Sequence, residues 1–331
     1  MDLSTTYLGL KLRSPLVVAS SPLQKDIANI KKMEENGAGA VVLHSLFEEQ
    51  LRADAAELEQ RLAEQEDSFA EAQSYLPQIS PFKLGPVEYL KHIREAKEAV
   101  SIPIIASLNG STGEGWVDYA KQIAEAGADA LELNIFHVPT ELETPGTAIE
   151  EGYVEIVRSV KEAVDIPIAV KLSPYFSSLP SIAKKMVDAG ADGLVFFNRF
   201  LQPDIELRTG DVKSASILSA RSDSRLPLRW IGLLSERVEA DFAATGGIHT
   251  AQDVAKMLLV GAKVTMVCSL LLRKGIPSLL SLDFDLKDWM KAAEYSSVDE
   301  LRGSMSYSKV ADPGAFERGQ YIRAIGSYQV G

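Results

Sequence analysis

The segment DFAATGGI, residues 241–248, decides the fold together with VTMVCS, residues 264–269. Each is an apolar run ending in small or polar residues, and a helix pattern lies between them. This order predicts two consecutive strand–helix units of a parallel barrel. Gly246 and Gly247 allow backbone N–H groups to approach an anion. The two strand ends therefore predict the phosphate site common after the last strands of such barrels. A plain strand-to-helix turn is the alternative.

The same strand–helix unit repeats along the chain. Four helix patterns each end at a glycine suited to the left-handed conformation, and an apolar strand follows at once. These glycines are Gly37, Gly127, Gly190 and Gly261. Two more strands open with Ile-Pro, at residues 102–103 and 166–167. The segments PLVVASS (residues 15–21) and DFAAT complete a set of eight strands.

Eight apolar strands separated by helices predict an α/β fold, a closed (β/α)8 TIM barrel. An open doubly wound sheet is the alternative, but that fold carries a glycine-rich turn after its first strand. Here Ala19-Ser20-Ser21-Pro22 stands at that place. We therefore expect residues 1–331 to form one barrel domain, since barrels with insertions reach this length.

Composition narrows the class of protein. A formal net charge of −12 argues against a nucleic-acid or anionic-membrane surface. The start of the chain lacks a basic segment followed by a long apolar one, and no run of about eighteen apolar residues occurs. We expect a cytoplasmic protein. The single cysteine, Cys268, excludes an internal disulfide, a cysteine-ligated zinc site and an iron–sulfur cluster held by this chain alone, and we predict no metal site.

Two insertions interrupt the regular spacing. Residues 46–85 follow strand two and contain an acidic run of helix formers, which predicts a solvated helix. Residues 199–226 follow strand six and show no clear period. Both lie after the carboxyl ends of strands, where barrel enzymes keep their active sites. We expect them to form lids or substrate walls.

The strand ends predict a polar collar around the mouth of the barrel. Its members are Ser20, Ser21, His44, Ser45, Ser107, Asn109, Asn134, His137, Lys171, Asn198, Thr245, Gly246, Gly247, Cys268 and Ser269. Lys171 lies within an apolar strand, where an unpaired ammonium group is costly. Either it pairs with a neighbouring carboxylate such as Glu132, or it faces a bound anionic group or an electron-rich ring.

Five segments resemble the soluble class 1 dihydroorotate dehydrogenases. They are PLVVAS, ELNIFHVP, AVKLSPYF, the asparagine that ends strand six, and ATGGI; the resemblance runs roughly from Leu8 to Pro277. It implies a (β/α)8 barrel that binds FMN across its strand ends and oxidises dihydroorotate to orotate. A homodimer is the family expectation.

The resemblance also implies roles for individual residues. Gly246, Gly247, Cys268 and Ser269 would hold the FMN phosphate, and Lys171 would lie by the flavin pyrimidine edge, where its charge favours the reduced flavin. The remaining cofactor contacts would come from Ala19, Ser20, Ser45, Asn109, Asn134 and Asn198. Substrate contacts would come from Asn134 and Asn198. Arg199 is not a family residue, but if its guanidinium group points inward it is suited to clamp a substrate carboxylate.

The sequence departs from the family at the substrate side. The family cysteine that removes a substrate proton is replaced by His137, which is suited to act as a general base; a loop histidine with no catalytic role is the alternative. A second family asparagine is absent, and His44 stands where the family has a lysine. Arg199 replaces a serine or threonine, and residues 225–230 replace a glycine-rich segment.

These departures favour FMN binding more than dihydroorotate itself as the substrate. We expect a small, planar, anionic substrate and hydride transfer to flavin. Electrons must then leave through a diffusible acceptor or a partner redox protein, because the chain carries no iron–sulfur ligands and no dinucleotide fingerprint.

Two alternatives stay open. One is a flavin-free lyase or isomerase acting on a phosphorylated metabolite, with Lys171 as a Schiff-base nucleophile and His137 as a proton shuttle; the other is a non-catalytic flavin subunit of a redox complex.

Overall fold

Eight parallel strands close into a barrel in a computed structural model that describes residues 1–48, 86–110, 113–214 and 218–327. The strands are β3 (Leu16–Val18), β4 (Ala40–Phe47), β5 (Ile104–Asn109), β6 (Ala130–Asn134), β7 (Ile168–Leu172), β8 (Gly193–Phe196), β11 (Asp241–Thr245) and β12 (Val264–Val267). Each strand pairs with its neighbours in this order, and β12 pairs with β3 to close the ring. The predicted TIM barrel and all eight predicted strands are confirmed.

Helices follow the strands and cover the barrel. They are α1 (Ile27–Glu35), α2 (Pro86–Ala99), α3 (Gly113–Glu125), α4 (Gly146–Ala163), α5 (Leu179–Asp188), α6 (Arg225–Leu234), α7 (Ala251–Leu259), α8 (Ser269–Lys274), α9 (Ser278–Ala292), α10 (Val298–Leu301) and α11 (Arg318–Gly326). None of those in the described part of the chain is long and apolar enough to cross a membrane.

The glycines that precede four strands have the predicted conformation. The φ angles of Gly37, Gly127, Gly190 and Gly261 are 98°, 94°, 109° and 114°. Such angles cost little only for glycine, so each helix ends abruptly and the chain turns into the next strand. This local rule explains why the repeat was readable from the sequence.

The apolar residues form two cores. The larger lies between the barrel and its helices, and the smaller fills the inside of the barrel. A hairpin of β1 (Thr5–Tyr7) and β2 (Leu10–Leu12) closes the amino end of the barrel. Its Leu8 N–H donates to Asp241 Oδ2 at 2.7 Å. The floor of the barrel is thus packed with apolar side chains.

The two insertions have different outcomes. The acidic helix predicted within residues 46–85 lies mostly outside the described residues. The second insertion contains an exposed antiparallel hairpin of β9 (Pro203–Ile205) and β10 (Val212–Ser214), which the sequence did not predict. Three-residue strands are too short to show a period.

Phe242 provides a test of the core. Its side chain is 1% exposed and contacts the Phe196 ring at 5.4 Å between centroids. We expect Phe242→Ala to lower the free energy of unfolding by about 3–5 kcal/mol, because it leaves a cavity. Phe284→Ala on α9, where the ring is 63% exposed, should change it by about 0.5 kcal/mol or less. Urea unfolding measures both, and equal losses would contradict this assignment of the core.

Candidate active site

A pocket of about 510 Å³ opens at the carboxyl ends of the barrel strands. Cavities of roughly 300–1,000 Å³ are typical of small-molecule sites. The structure brings to it these predicted site residues: Ala19, Ser20, Ser45, Asn134, Lys171, Asn198, Arg199, Gly246, Gly247, Cys268 and Ser269. The polar collar predicted from separate strand ends therefore converges on one cavity.

Two predicted site residues do not line this pocket. Asn109 is 8% exposed and pairs with Phe47 at the end of β5. His137 is exposed on the loop that follows β6, and its backbone bonds the side chain of Tyr153. A position at or after a strand end therefore did not predict a pocket residue in these two cases. Asn109 is buried outside the pocket, and His137 is exposed to solvent.

Lys171 and Glu132 form an ion pair inside the barrel. Lys171 Nζ lies 3.2 Å from Glu132 Oε1, and the two side chains are 12% and 1% exposed. Lys171 also lines the pocket. The sequence offered a structural ion pair and a cavity-facing cation as alternatives. Lys171 meets both descriptions, because it pairs with Glu132 and also lines the pocket.

The second oxygen of Glu132 has no hydrogen-bond partner among the described residues. The hydroxyl of Tyr7, which is fully buried, also has none there. Burial, and then the negative charges of Glu132 and Asp241, raise the pKa of Tyr7 well above its usual range. Tyr7 therefore stays a neutral phenol beneath the charged pair.

An irregularity in β4 places His44 and Ser45 at the pocket. The register with β5 shifts between Val42 and Ser45, so one extra residue of β4 bulges there. Ser45 Oγ lies 2.8 Å from Ser107 Oγ and 3.3 Å from Ser20 Oγ. This chain of hydroxyls joins three strand ends along one side of the cavity.

His44 is buried but has two ring nitrogens without a hydrogen-bond partner among the described residues. Its ring contacts Tyr89 and His92 of α2, at 5.1 and 5.4 Å between centroids. Burial lowers the pKa of His44 to about 4, and the nearby His92 and Lys25 act in the same direction. At neutral pH this pocket wall therefore carries an uncharged imidazole.

The glycines after β11 take part in a buried hydrogen-bond chain. Gly247 N–H donates to Ser219 Oγ at 3.1 Å, and Ser219 Oγ donates to Ser269 Oγ at 2.9 Å. The φ angles of Gly246 and Gly247 are 90° and 76°. Because Ser269 Oγ accepts from Ser219, its own proton is left to donate. The Gly247 amide is already bonded to Ser219, so any anion here is bound by this whole cluster.

Two amides and one guanidinium group also line the pocket. Asn198 Nδ2 donates to Asn134 Oδ1 at 2.6 Å. Arg199 Nη1 bonds Asp223 Oδ2 at 2.7 Å and also lines the pocket. The two asparagines orient each other, whereas the charge of Arg199 is already paired with the Asp223 carboxylate.

Cys268 is a protonated thiol in this site. Burial raises its pKa, although the charge of Lys171 and a hydrogen bond with Ser21 oppose the shift. A reactive cysteine needs a lowered pKa. The raised pKa disfavours a thiolate at Cys268 at neutral pH.

Comparison with known proteins places the chain in a family. A sequence model described as "Dihydroorotate dehydrogenase" matches residues 2–290. The chain belongs to the dihydroorotate dehydrogenase family. The members are oxidoreductases that act on CH–CH bonds.

Three curated relatives are each named dihydroorotate dehydrogenase B (NAD(+)), catalytic subunit. That of Thermoplasma acidophilum is 26% identical over 91% of this chain and 98% of its own length. That of Methanothermobacter thermautotrophicus is 27% identical over 91% and 97%. That of Anoxybacillus flavithermus is 35% identical over 50% of this chain and 55% of its own length. The similarity covers the whole barrel.

Several pocket residues escaped the sequence analysis of this dihydroorotate dehydrogenase family member. They include Lys25, Tyr89, Phe197, Leu201, Leu218, Ser219 and Leu272. Ser219 lies in a segment without a periodic pattern, and Tyr89 reaches the cavity from a helix. A capping box of Ser21 and Gln24 is readable in the sequence and begins the short 3-10 helix Pro22–Lys25. That signal was available for Lys25 alone.

The buried His44 predicts acid sensitivity. An unfolded histidine titrates near 6.5, whereas the folded pKa is about 4. Protons therefore bind His44 more tightly in the unfolded chain than in the folded one. The free energy of unfolding is highest above pH 6.5 and falls as the pH drops from 6.5 toward 4. We expect wild type to lose up to about 3 kcal/mol more than His44→Leu over this range. Urea unfolding at pH 8, 6 and 4.5 measures the difference; parallel losses would contradict it.

The two glycines after β11 form a matched pair for substitution. A Cβ at Gly247 would meet Ser224 N at 2.5 Å and Ala220 O at 2.8 Å, whereas none of the described atoms lies within 4 Å of one at Gly246. Both have positive φ angles, so each alanine costs about 1–2 kcal/mol of backbone strain. Gly247→Ala should cost roughly 1–3 kcal/mol more. Thermal unfolding tests this, and equal melting temperatures of the two variants would refute it.

Proposed function

We propose that this chain is a single-domain, FMN-dependent oxidoreductase that oxidises dihydroorotate, or a related small planar anion. The observation that best supports this function is that Lys171, which pairs with Glu132, lines the same pocket as the Gly247–Ser219–Ser269 cluster. A cation lies at one part of the cavity and a group of anion-binding donors at another. This suits a phosphorylated cofactor with an electron-poor ring.

The described residues fit FMN. The cavity has a suitable volume, and Gly247 lies where a side chain would collide with the 219–224 segment. Gly246, Gly247, Cys268 and Ser269 would hold the phosphate, with the Gly247 amide exchanging Ser219 Oγ for the anion. Ala19, Ser20 and Ser45 would line the ring. The unpartnered nitrogens of His44 offer a further hydrogen bond to a bound ring. An unsatisfied buried polar group costs about 1–3 kcal/mol, which a ligand would relieve.

Bound FMN would supply the hydride acceptor. Lys171 would stabilise negative charge that develops on the ring, and Glu132 would hold the ammonium group in place. The pairing also disfavours the flavin-free alternative, because an ammonium group paired with a carboxylate is a poor Schiff-base nucleophile.

The substrate side is built from Asn134, Asn198 and Arg199. The hydrogen bond between the two asparagines leaves the Asn134 amide N–H groups and the Asn198 carbonyl oxygen to bind a planar ring. Arg199 would bind a carboxylate if it exchanged Asp223 for the ligand. Hydride would leave one substrate carbon for the flavin, and a proton would leave the adjacent carbon to form the double bond.

We propose His137 as the group that takes this proton. Its support is its place in the loop directly after Asn134, in the family's cysteine position. In the structure it is exposed and outside the pocket. The proposal therefore requires the loop to move toward the cavity when substrate binds, and a loop histidine with no catalytic role stays the alternative.

Electrons would leave through a diffusible acceptor or a partner redox protein. The similar proteins are named catalytic subunits and NAD(+) enzymes, which supports a second component. A homodimer remains a prediction from the family resemblance, and a cytoplasmic location remains a prediction from the sequence.

The first experiment is a visible spectrum of the FMN-loaded protein during anaerobic addition of dihydroorotate. We expect the flavin bands to bleach. The double variant Glu132→Gln/Lys171→Met removes the pair without leaving a buried charge. It should bind FMN but bleach about a hundredfold more slowly, since one electrostatic donor contributes about this much.

The matched control removes an exposed pair on α5, Lys184→Met/Asp188→Asn, whose nitrogen and oxygen are 2.6 Å apart. It should bleach at the wild-type rate. Flavin that stays oxidised with every substrate tested would contradict the proposed reaction, and failure to bind FMN would exclude the cofactor.

His137→Ala tests the proposed base. We expect bleaching to slow by about 10²–10⁴-fold, the usual contribution of a general base. FMN affinity should not change, because the residue lies outside the pocket. Val138→Ala, an exposed neighbour on the same loop, is the control. If both variants bleach at the wild-type rate, another group must take the proton.

A further inference from the structure

A second cavity of about 1230 Å³ adjoins the pocket and extends beyond the residues assigned to the proposed reaction. We call it the arginine groove. It lies between α6, α11 and the loops after β7 and β8. It shares Phe197, Asn198, Arg199, Thr245 and Gly246 with the pocket. A molecule in the groove would therefore lie next to one in the pocket.

The groove is positively charged on a negatively charged protein. Its lining contains Arg199, Arg225, Arg229 and Arg318 against two carboxylates, Asp223 and Glu317. Arg199 bonds Asp223, and Glu317 accepts from the hydroxyl of Tyr307. Arg225 and Arg318 form no ion pair with the residues that the structure describes and are exposed. The groove therefore has a local excess of positive charge although the whole chain has a net charge of −12, and such an excess attracts anions.

Aromatic rings border the same groove. Tyr175 and Phe200 meet edge to face at 4.8 Å between centroids, and Tyr175 and Tyr321 are 63% and 66% exposed. Trp230 lines the groove from α6. Planar rings stack on such side chains, and arginine forks bind phosphate in a bidentate manner. Anion binding and ring binding are thus combined in one cavity.

The volume of the groove favours a large ring-containing anion over a small one. A cavity of 1230 Å³ exceeds the roughly 300–1,000 Å³ of most small-molecule sites, and a single-ring carboxylate would fill little of it. A nucleotide has a planar base, a sugar and a phosphate chain, which match the rings, the volume and the arginines. We propose that the arginine groove binds a nucleotide.

The test is calorimetric titration of the purified protein with NAD⁺, ADP, inorganic pyrophosphate and nicotinamide. NAD⁺ and ADP carry both base and phosphates, pyrophosphate only the anion, and nicotinamide only a ring. We expect NAD⁺ or ADP to bind at least about tenfold more tightly than either fragment. Pyrophosphate binding as tightly as both nucleotides would reduce the groove to an anion site and overturn the proposal, as would the absence of nucleotide binding.

Variants locate the binding. Arg225→Gln/Arg318→Gln should weaken nucleotide binding at least about tenfold, because each arginine provides charge-assisted hydrogen bonds. Arg94→Gln/Arg208→Gln removes the same charge from exposed positions outside the groove and should leave binding unchanged. Equal effects of the two double variants would place the nucleotide elsewhere. If the protein does not bind FMN, nucleotide binding that Arg225→Gln/Arg318→Gln weakens still supports the groove, because these two arginines do not line the pocket.

Discussion

Closure of the barrel between its last and first strands is the constraint on which the site depends. Thr265 N–H donates to Pro15 O at 2.8 Å, and Ala19 N–H donates to Val267 O at 3.0 Å. These bonds join residues that are about 250 positions apart in the chain. They bring the Ala19 loop beside Cys268 and the adjacent Ser269. Without this closure the proposed ring-binding and phosphate-binding residues would lie at opposite edges of an open sheet.

The interior of the barrel changes character along its axis. Near the amino end it is apolar and filled by the hairpin, whereas near the mouth it contains Ser45, Ser107, Glu132 and Lys171. A buried ion pair adds little net stability, because desolvation opposes the attraction. The fold therefore does not need the pair. Its position below the pocket instead favours a role in binding or chemistry.

The mouth has an uneven division of charge. His44 is neutral on one wall, Lys171 is paired below, and arginines lie toward the arginine groove. In the family resemblance the His44 position holds a lysine, so this chain has one cation fewer there. By the resemblance, the proposed cofactor residues keep the family pattern more closely than the proposed substrate residues. This agrees with our proposal of FMN as the cofactor, and of dihydroorotate or a related small planar anion as the substrate.

The sequence by itself determined the eight strands, their order and the glycines that end four helices, because these follow from local periodicity and from one residue type at one backbone angle. It also placed most of the pocket residues, since the ends of parallel strands in a closed barrel must meet. Only the tertiary structure decided which side chains face the cavity. The bulge in β4 turned His44 and Ser45 toward it, and β5 ends with Asn109 buried outside it. The segment around Ser219 folded over Gly247, and the loop after β6 left His137 in solvent. Each of these outcomes depends on contacts between residues far apart in the chain, which no local pattern encodes.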